Sequence, residues 1–253
     1  MSTTAAATKP ATCPTAAPAG LPWSTVRQAT PAAPEDPGSA YTGQTATPTQ
    51  EGTAVFAGPS ACSTPVAFLP RETLGAPTSL PVIGSEAGWL HVLLPSRRNL
   101  PSAGRGAASV NHASGWIQAA AATLTAAPLQ IAVDQASKKV TLLDAGKAVF
   151  EAPVEMDGGS DSTTGRTFVV GIYKTPASEQ CSGQPLIVTA HQSAREDSYE
   201  GSGAAVQALH GFSWSCRLTL LSGQTPGCTI ISDAAVAELL ARGVKPGTVV
   251  TVK

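Results

Sequence analysis

Charge is scarce in this chain. Asp, Glu, Lys and Arg make up 13% of its 253 residues, and the formal net charge is −1. A surface so poor in cations offers no basic face, so nucleic acid is not an expected partner. Aromatics are few, at 5%, and there are only 2 methionines. No apolar run approaches the length of a bilayer span, so no transmembrane segment is expected. The N-terminus lacks the charged and then apolar pattern of a signal peptide. Cys13 lacks the apolar stretch that would precede a lipoprotein anchor. None of the five cysteines form a Cys-x-x-Cys pair. A zinc site is therefore disfavoured, and no metal or cofactor is expected.

What the chain does have is Gly (24) and Pro (21), with abundant Thr, Val and Ser. That mixture favours many short strands and turns over helical bundles, so the expected fold class is mainly β. Residues 1–50 are Ala, Thr, Pro and Ser with few apolar side chains. They read as a disordered tether, and Trp23 and Tyr41 as solvated linker aromatics.

Residues 51–128 form a first β domain. Strands are expected at Thr53–Phe56, Pro65–Pro70, Leu80–Ile83, Gly88–Leu94 and Gly115–Gln118, separated by Gly and Pro. Trp89 and Trp116 read as core, and Ser96–Asn99 as a solvated basic turn. Residues 129–253 form a second domain, with the boundary near Pro128. It opens on a hairpin, with alternating Gln130–Asp134 followed by Lys139–Leu143, the turn Asp144–Gly146 and Lys147–Phe150. Further strands are expected at Gly165–Tyr173, Leu186–Ala190, Ala205–Leu209 and Thr248–Val252. Ser232–Arg242 reads as a helix capped by Ser232, with Val236, Leu239 and Leu240 on one face. Asp157–Ser162 has two aspartates but not the spacing of a calcium loop, so it reads as a turn.

The chemistry concentrates near the C-terminus. His210 opens a His-Gly pair and Cys228 closes Thr225-Pro226-Gly227-Cys228. A thiol is a strong nucleophile only as thiolate, and an adjacent imidazole is the usual means of making one. Cys228 is therefore the candidate nucleophile and His210 its base. The Gly211 backbone would fix the imidazole tautomer, and Gly227 would let a backbone N–H approach an oxyanion. Thr225, Phe212 and Trp214 are candidate substrate-binding residues. His91, His112 and His191 have no partner motif and read as surface or structural. Arg195, Glu196 and Asp197 read as a solvated turn. With one reactive thiol, the other four cysteines can form two disulfides, and sequence leaves their pairing open. Cys181–Cys216 with Cys13–Cys62 is the expected pairing, and a free buried Cys62 the alternative. Disulfides would imply an oxidising compartment.

Several motifs in order carry a family resemblance over 129–253. They are the Val133-Asp134 to Gly146-Lys147 hairpin, Thr163-Thr164-Gly165-Arg166-Thr167-Phe168, His210-Gly211, Thr225-Pro226-Gly227-Cys228, and the ending Gly243 to Val252. This segment resembles the catalytic domain of the L,D-transpeptidases, which cross-link peptidoglycan in cell wall biogenesis. The resemblance implies an L,D-transpeptidase-like β-sandwich with one short helix. It implies a thioester on Cys228, stem peptides as substrates, carbapenem-type β-lactams as covalent inhibitors, and an extracytoplasmic location. Residues 51–128, with two Gly-Trp strand starts, resemble bacterial SH3-like barrels, which implies cell-wall polymer binding. Two positions depart from the transpeptidase pattern: Pro226 stands where the family has His, and Ile230 where it has Arg or Asn. Those departures keep a catalytically weakened wall-binding protein open, and the motif residues do not separate transfer from the action of a cysteine peptidoglycan hydrolase.

Overall fold

Alternation of apolar and polar residues, broken by Gly and Pro, folds here into sheets. A computed structural model describes residues 20–60, 62–104, 106, 110–155, 161–174, 184–199, 203–211 and 227–253. The fold is mainly β, with one sheet of seven strands, one of eight and a two-stranded ribbon. Among the described residues there is one α-helix.

The first sheet contains β1 (Gln44–Pro48), β2 (Thr53–Phe56), β3 (Pro65–Leu69), β6 (Leu80–Glu86), β7 (Trp89–Leu93), β8 (Ser114–Gln118) and β9 (Ala122–Ala126). Their order is β3-β2-β8-β7-β6-β1-β9. The ribbon is β4 (Glu72–Thr73) with β5 (Ala76–Pro77). Every strand expected between 51 and 118 forms. The sheet is wider than those five because β1 and β9 pair with each other and β1 also pairs with β6.

β1 comes from the segment expected as a tether, and that expectation is corrected for residues 20–50. Backbone bonds tie the segment down: Ser24 N donates to Phe68 O at 2.7 Å, Thr30 N to Arg97 O at 2.9 Å, and Asp36 N to His112 O at 2.8 Å. Trp23 packs its ring 5.9 Å from that of Phe68. Tyr41 Oη donates to Ala127 O at 2.8 Å. Val26, Ala33 and Ala46 are buried in the core. Such a segment has little apolar area of its own. It is ordered because a partner sheet satisfies its backbone groups and hydroxyls, as in the Ser24–Ser96–Thr30 hydroxyl chain. Residues 1–19, and Cys13 with them, lie outside the described residues.

The second sheet contains β10 (Leu129–Asp134), β11 (Lys139–Asp144), β12 (Lys147–Pro153), β13 (Gly165–Lys174), β14 (Pro185–Gln192), β15 (Val206–Gly211), β16 (Thr229–Ile231) and β17 (Val249–Val252). Its order is β12-β11-β10-β17-β13-β14-β15-β16. The expected opening hairpin forms, with Ile131 opposite Leu142 and Val133 opposite Val140, all buried. Ala145 (φ 46°) and Gly146 (φ 81°) make the two-residue turn to β12, the left-handed pair that matches strand twist. Helix α1 (Asp233–Ala241) starts as expected, with Ser232 Oγ accepting from Ala235 N at 3.1 Å. Its Ala235, Val236 and Leu239 pack on one face of this sheet.

The sheets divide between β9 and β10, but the core does not. One cluster joins Val55, Leu69, Leu80, Val92 and Ile117 of the first sheet to Phe168, Val170, Leu186, Val188 and Ala208 of the second. Polar contacts cross the same junction. Arg166 on β13 pairs with the Asp36 carboxylate through both Nε and a terminal nitrogen. Arg97, expected in a solvated turn, is buried and donates to the backbone oxygens of Glu196 and Asp197. A guanidinium can be buried in this way because carbonyl oxygens replace the water it loses.

Candidate functional site

The strands that carry the candidate residues lie at one edge of the second sheet. β15 runs parallel to β16, with Leu209 level with Thr229, His210 with Ile230 and Gly211 with Ile231. Cys228 immediately precedes β16, level with Ala208, whose backbone hydrogen-bonds the thiol. Residues two apart on a strand share a face, so Cys228 and His210 lie on the same side. Strand spacing and rise put their Cα atoms about 8 Å apart.

His210 is buried, and its Nδ1 lies 3.0 Å from Gly211 O. A carbonyl can only accept, so Nδ1 carries the proton and Nε2 keeps the lone pair. Burial pushes the imidazole below its ordinary value, while the Gly211 bond and the Asp233 charge act against that. Gly211 is required by packing, since a Cβ there would fall 1.7 Å from Asp233 Oδ1. Asp233 opens α1 behind the Ser232 cap, so the helix start and the histidine strand fit only through a glycine.

Cys228 is a free thiol, half-buried, packed against the cluster shared by the two sheets. Burial pushes its pKa up to about 11, against which the Ala208 hydrogen bond acts. With the imidazole lowered and the thiol raised, the resting pair is neutral at pH 7. A resting thiolate is therefore not what this environment favours. Gly227 has φ 76°, and a Cβ there would fall 2.0 Å from Gln207 Nε2 and 2.6 Å from Asp161 O. Its lack of a side chain thus serves the packing of the nucleophile loop as well as any approach of substrate.

Several residues that sequence reasoning missed lie around the loop that carries the thiol. Gln207 is buried, accepting from Thr163 N at 3.0 Å and donating to Asp161 O at 2.5 Å. The one signal for it is a polar residue inside the apolar run Ala205-Val206-Gln207-Ala208-Leu209. Tyr199 faces the thiol: burial raises its phenol pKa first, and the charge of a Cys228 thiolate raises it further. Ser193 hydrogen-bonds that phenol and also caps Arg195 N and Glu196 N. Arg195 pairs with Asp161 at 2.8 Å, bringing one residue of the expected solvated turn to the nucleophile loop.

Ile230, one of the two departures, is fully buried level with His210, and its carbonyl accepts from Glu155 N at 2.9 Å. Pro226, Thr225, Phe212 and Trp214 lie outside the described residues, as do Cys181, Cys216 and most of the Asp157–Ser162 loop. Cys62 is disulfide-bonded, so the free-thiol alternative for it is corrected. Of the other histidines, His112 and His191 meet across the junction of the two sheets, and His91 packs within the first. His191 Nε2 is 3.2 Å from His112 Nε2, which lies 3.1 Å from Thr164 O. His91 stacks on Trp116 with ring centres 4.5 Å apart and bonds Ser114 Oγ at 3.0 Å. Among the described residues no group of three His, Cys, Asp or Glu side chains could hold a metal ion. No described helix is long and apolar enough to cross a membrane.

No family model matches the chain, and no curated protein does. Solved structures do. Bd1075 of Bdellovibrio bacteriovorus is 15% identical at a TM-score of 0.37, over 50% of this chain and 48% of that one. An L,D-transpeptidase of Xylanimonas cellulosilytica is 17% identical at 0.33, over 51% of this chain and 62% of that one. This chain thus spans about half to three fifths of the length of those two structures. The LD transpeptidase LdtMt1, solved in complex with imipenem, is 12% identical at 0.37, over 83% of this chain and 82% of that one. At these identities and TM-scores the likeness does not assign the chain to a family.

Proposed function

We propose that this chain is a cysteine acyltransferase of peptidoglycan, an L,D-transpeptidase. The observation that carries the reading is His210 and Cys228 on one face of neighbouring parallel strands, with the imidazole proton directed to Gly211 O. In this reading His210 Nε2 takes the Cys228 proton as sulfur attacks the carbonyl that joins a diamino acid to D-Ala. The imidazolium then returns that proton to the departing D-Ala amine, leaving a thioester. The amine of a second stem attacks the thioester, His210 takes its proton and passes it to the departing sulfur, and the cross-link forms with Cys228 restored as a thiol. Because the resting pair is neutral, proton transfer accompanies attack, as in general-base catalysis. The Cys62 disulfide supports an oxidising, extracytoplasmic location. An SH3-like wall-binding role for residues 51–128 belongs to the same reading.

The test is an intact mass of the protein after incubation with a carbapenem, with Cys228→Ala as control. A stable adduct that the variant lacks is the expected result. No adduct on a Cys228 shown to be reduced and alkylatable would sink the enzyme reading. Product analysis with stem peptides then separates transfer from hydrolysis. One observation favours a second reading, a wall-binding protein with a weakened site: the thiol is pushed up to about 11, away from the reactive range. Binding of purified peptidoglycan that survives Cys228→Ala, with no adduct on the parent protein, is the result that reading requires.

A further inference from the structure

A series of hydrogen bonds runs from Asn111, in the β7–β8 connection, to the Gln207 amide, against which Gly227 packs one residue before Cys228. Asn111 lies between β7 and β8 and is buried. Its side chain grips the Gln192 peptide at two points: Nδ2 donates to Gln192 O at 2.8 Å, and Oδ1 accepts from Gln192 N at 2.9 Å. Gln192 O also accepts from Thr163 Oγ1 at 2.9 Å. Thr163 N donates to Gln207 Oε1, and Gln207 Nε2 donates to Asp161 O. The Gln207 amide is then the surface on which Gly227 rests, one residue before the thiol. Gln207 also precedes Ala208, whose backbone bonds the sulfur.

Each link has one polarity. The Gln207 oxygen must face an N–H and its nitrogen must face a carbonyl, so its amide cannot turn over without losing both bonds. Burial raises the cost of breaking any one of them. The same face is braced twice more from the first sheet, by Arg97 on the Glu196 and Asp197 carbonyls and by Ser102 N donating to Asp197 Oδ1 at 3.0 Å.

We propose that Gln207 is a positioning residue for Cys228, and that Asn111 of the first sheet holds it in place through Gln192 and Thr163. The first sheet is then part of the catalytic apparatus as well as any wall attachment it provides. The positioning claim itself concerns the thiol, and only its catalytic consequence rests on the acyl-transfer reading above.

The test uses the full chain and two probes of Cys228. One is alkylation by iodoacetamide, located by peptide mass over a range of pH, and the other is acylation by a carbapenem. Gln207→Glu keeps the volume but sets a carboxylate oxygen against Asp161 O, and Asn111→Asp does the same against Gln192 O. In both, carbapenem acylation is expected to fall roughly tenfold or more, as small misplacements of reacting groups do. The alkylation profile is expected to move to lower pH as water reaches the thiol. A role confined to folding would lower the melting temperature and leave that profile in place. Thr163→Ala removes one link at a half-buried position and decides the matter if the other two fail to fold. Folded variants with unchanged alkylation profiles overturn the proposal. If the parent protein gives no carbapenem adduct but the profiles still move, the positioning role stands and the acyl-transfer reading falls.

Discussion

Residue by residue, the site depends on environment more than on identity. Cys228 is a thiol that burial holds protonated, with its pKa up to about 11, beside an imidazole that burial holds neutral. Its alkylation rate should therefore climb through neutral pH and level off only near pH 11, well above an ordinary thiol at about 8.5. A pH series of iodoacetamide labelling measures this, and a plateau near pH 8 would contradict it. Gly227→Ala should destabilise the protein by about 1–3 kcal/mol, because it adds a Cβ at φ 76° and forces Gln207 aside. Urea denaturation gives the stability change, and Cys228 labelling at fixed pH should change with it. The candidate pair was legible in the sequence because His-Gly and Gly-Cys are local motifs. Gln207, Tyr199 and Ser193 were not, because nothing local marks a residue that matters only to a neighbour across a sheet.

At the scale of elements, local chemistry and outcome agree. Ser232 caps α1 as its sequence suggests, and Ser232→Ala should cost about 1 kcal/mol in urea denaturation. That loss should carry a second signature, since Asp233 at the first turn bears on His210 through the Gly211 contact. The strands from 53 to 118 and from 129 to 252 follow their alternation and their Gly and Pro boundaries. β16 was missed because Thr229-Ile230-Ile231 is too short to show a period. The irregular pairing of β14 with β15 is equally invisible locally. Val188 is level with Ala208, yet Gln192 is level with Val206, so β14 carries extra residues there. That irregularity lies between the Val188 pairing and Gln192, the residue that Asn111 grips.

For the whole molecule, the shared cluster is the decisive fact. Phe168, Val170, Leu186 and Val188 are covered by side chains from the first sheet. Neither sheet can unfold without exposing the other, so urea should unfold the chain in one transition by both tryptophan fluorescence and circular dichroism. Two separated transitions would show that the sheets are independent. Acid should destabilise the junction. His191 is buried with its pKa pushed down to about 3, first by burial and then by His112. The folded protein keeps this imidazole neutral while the unfolded chain protonates it near pH 6.5. Stability from this group is therefore complete above pH 6.5 and is lost as pH falls toward 3, by on the order of 5 kcal/mol. His191→Gln should flatten that part of the stability profile, read from urea midpoints at a series of pH values.

The sequence by itself determined the strands, the helix and its cap, and the His-Gly and Gly-Cys motifs, since each is written within a few residues by periodicity, capping or a short motif. Only the tertiary structure decided that residues 20–50 are ordered, that the two sheets share a core, and that Asn111 grips the Gln192 peptide. Those outcomes come from contacts between residues far apart in the chain, such as Trp23 with Phe68 and Asn111 with Gln192. The free energy of such contacts depends on which surfaces folding brings together and shuts off from water, and no local pattern encodes that.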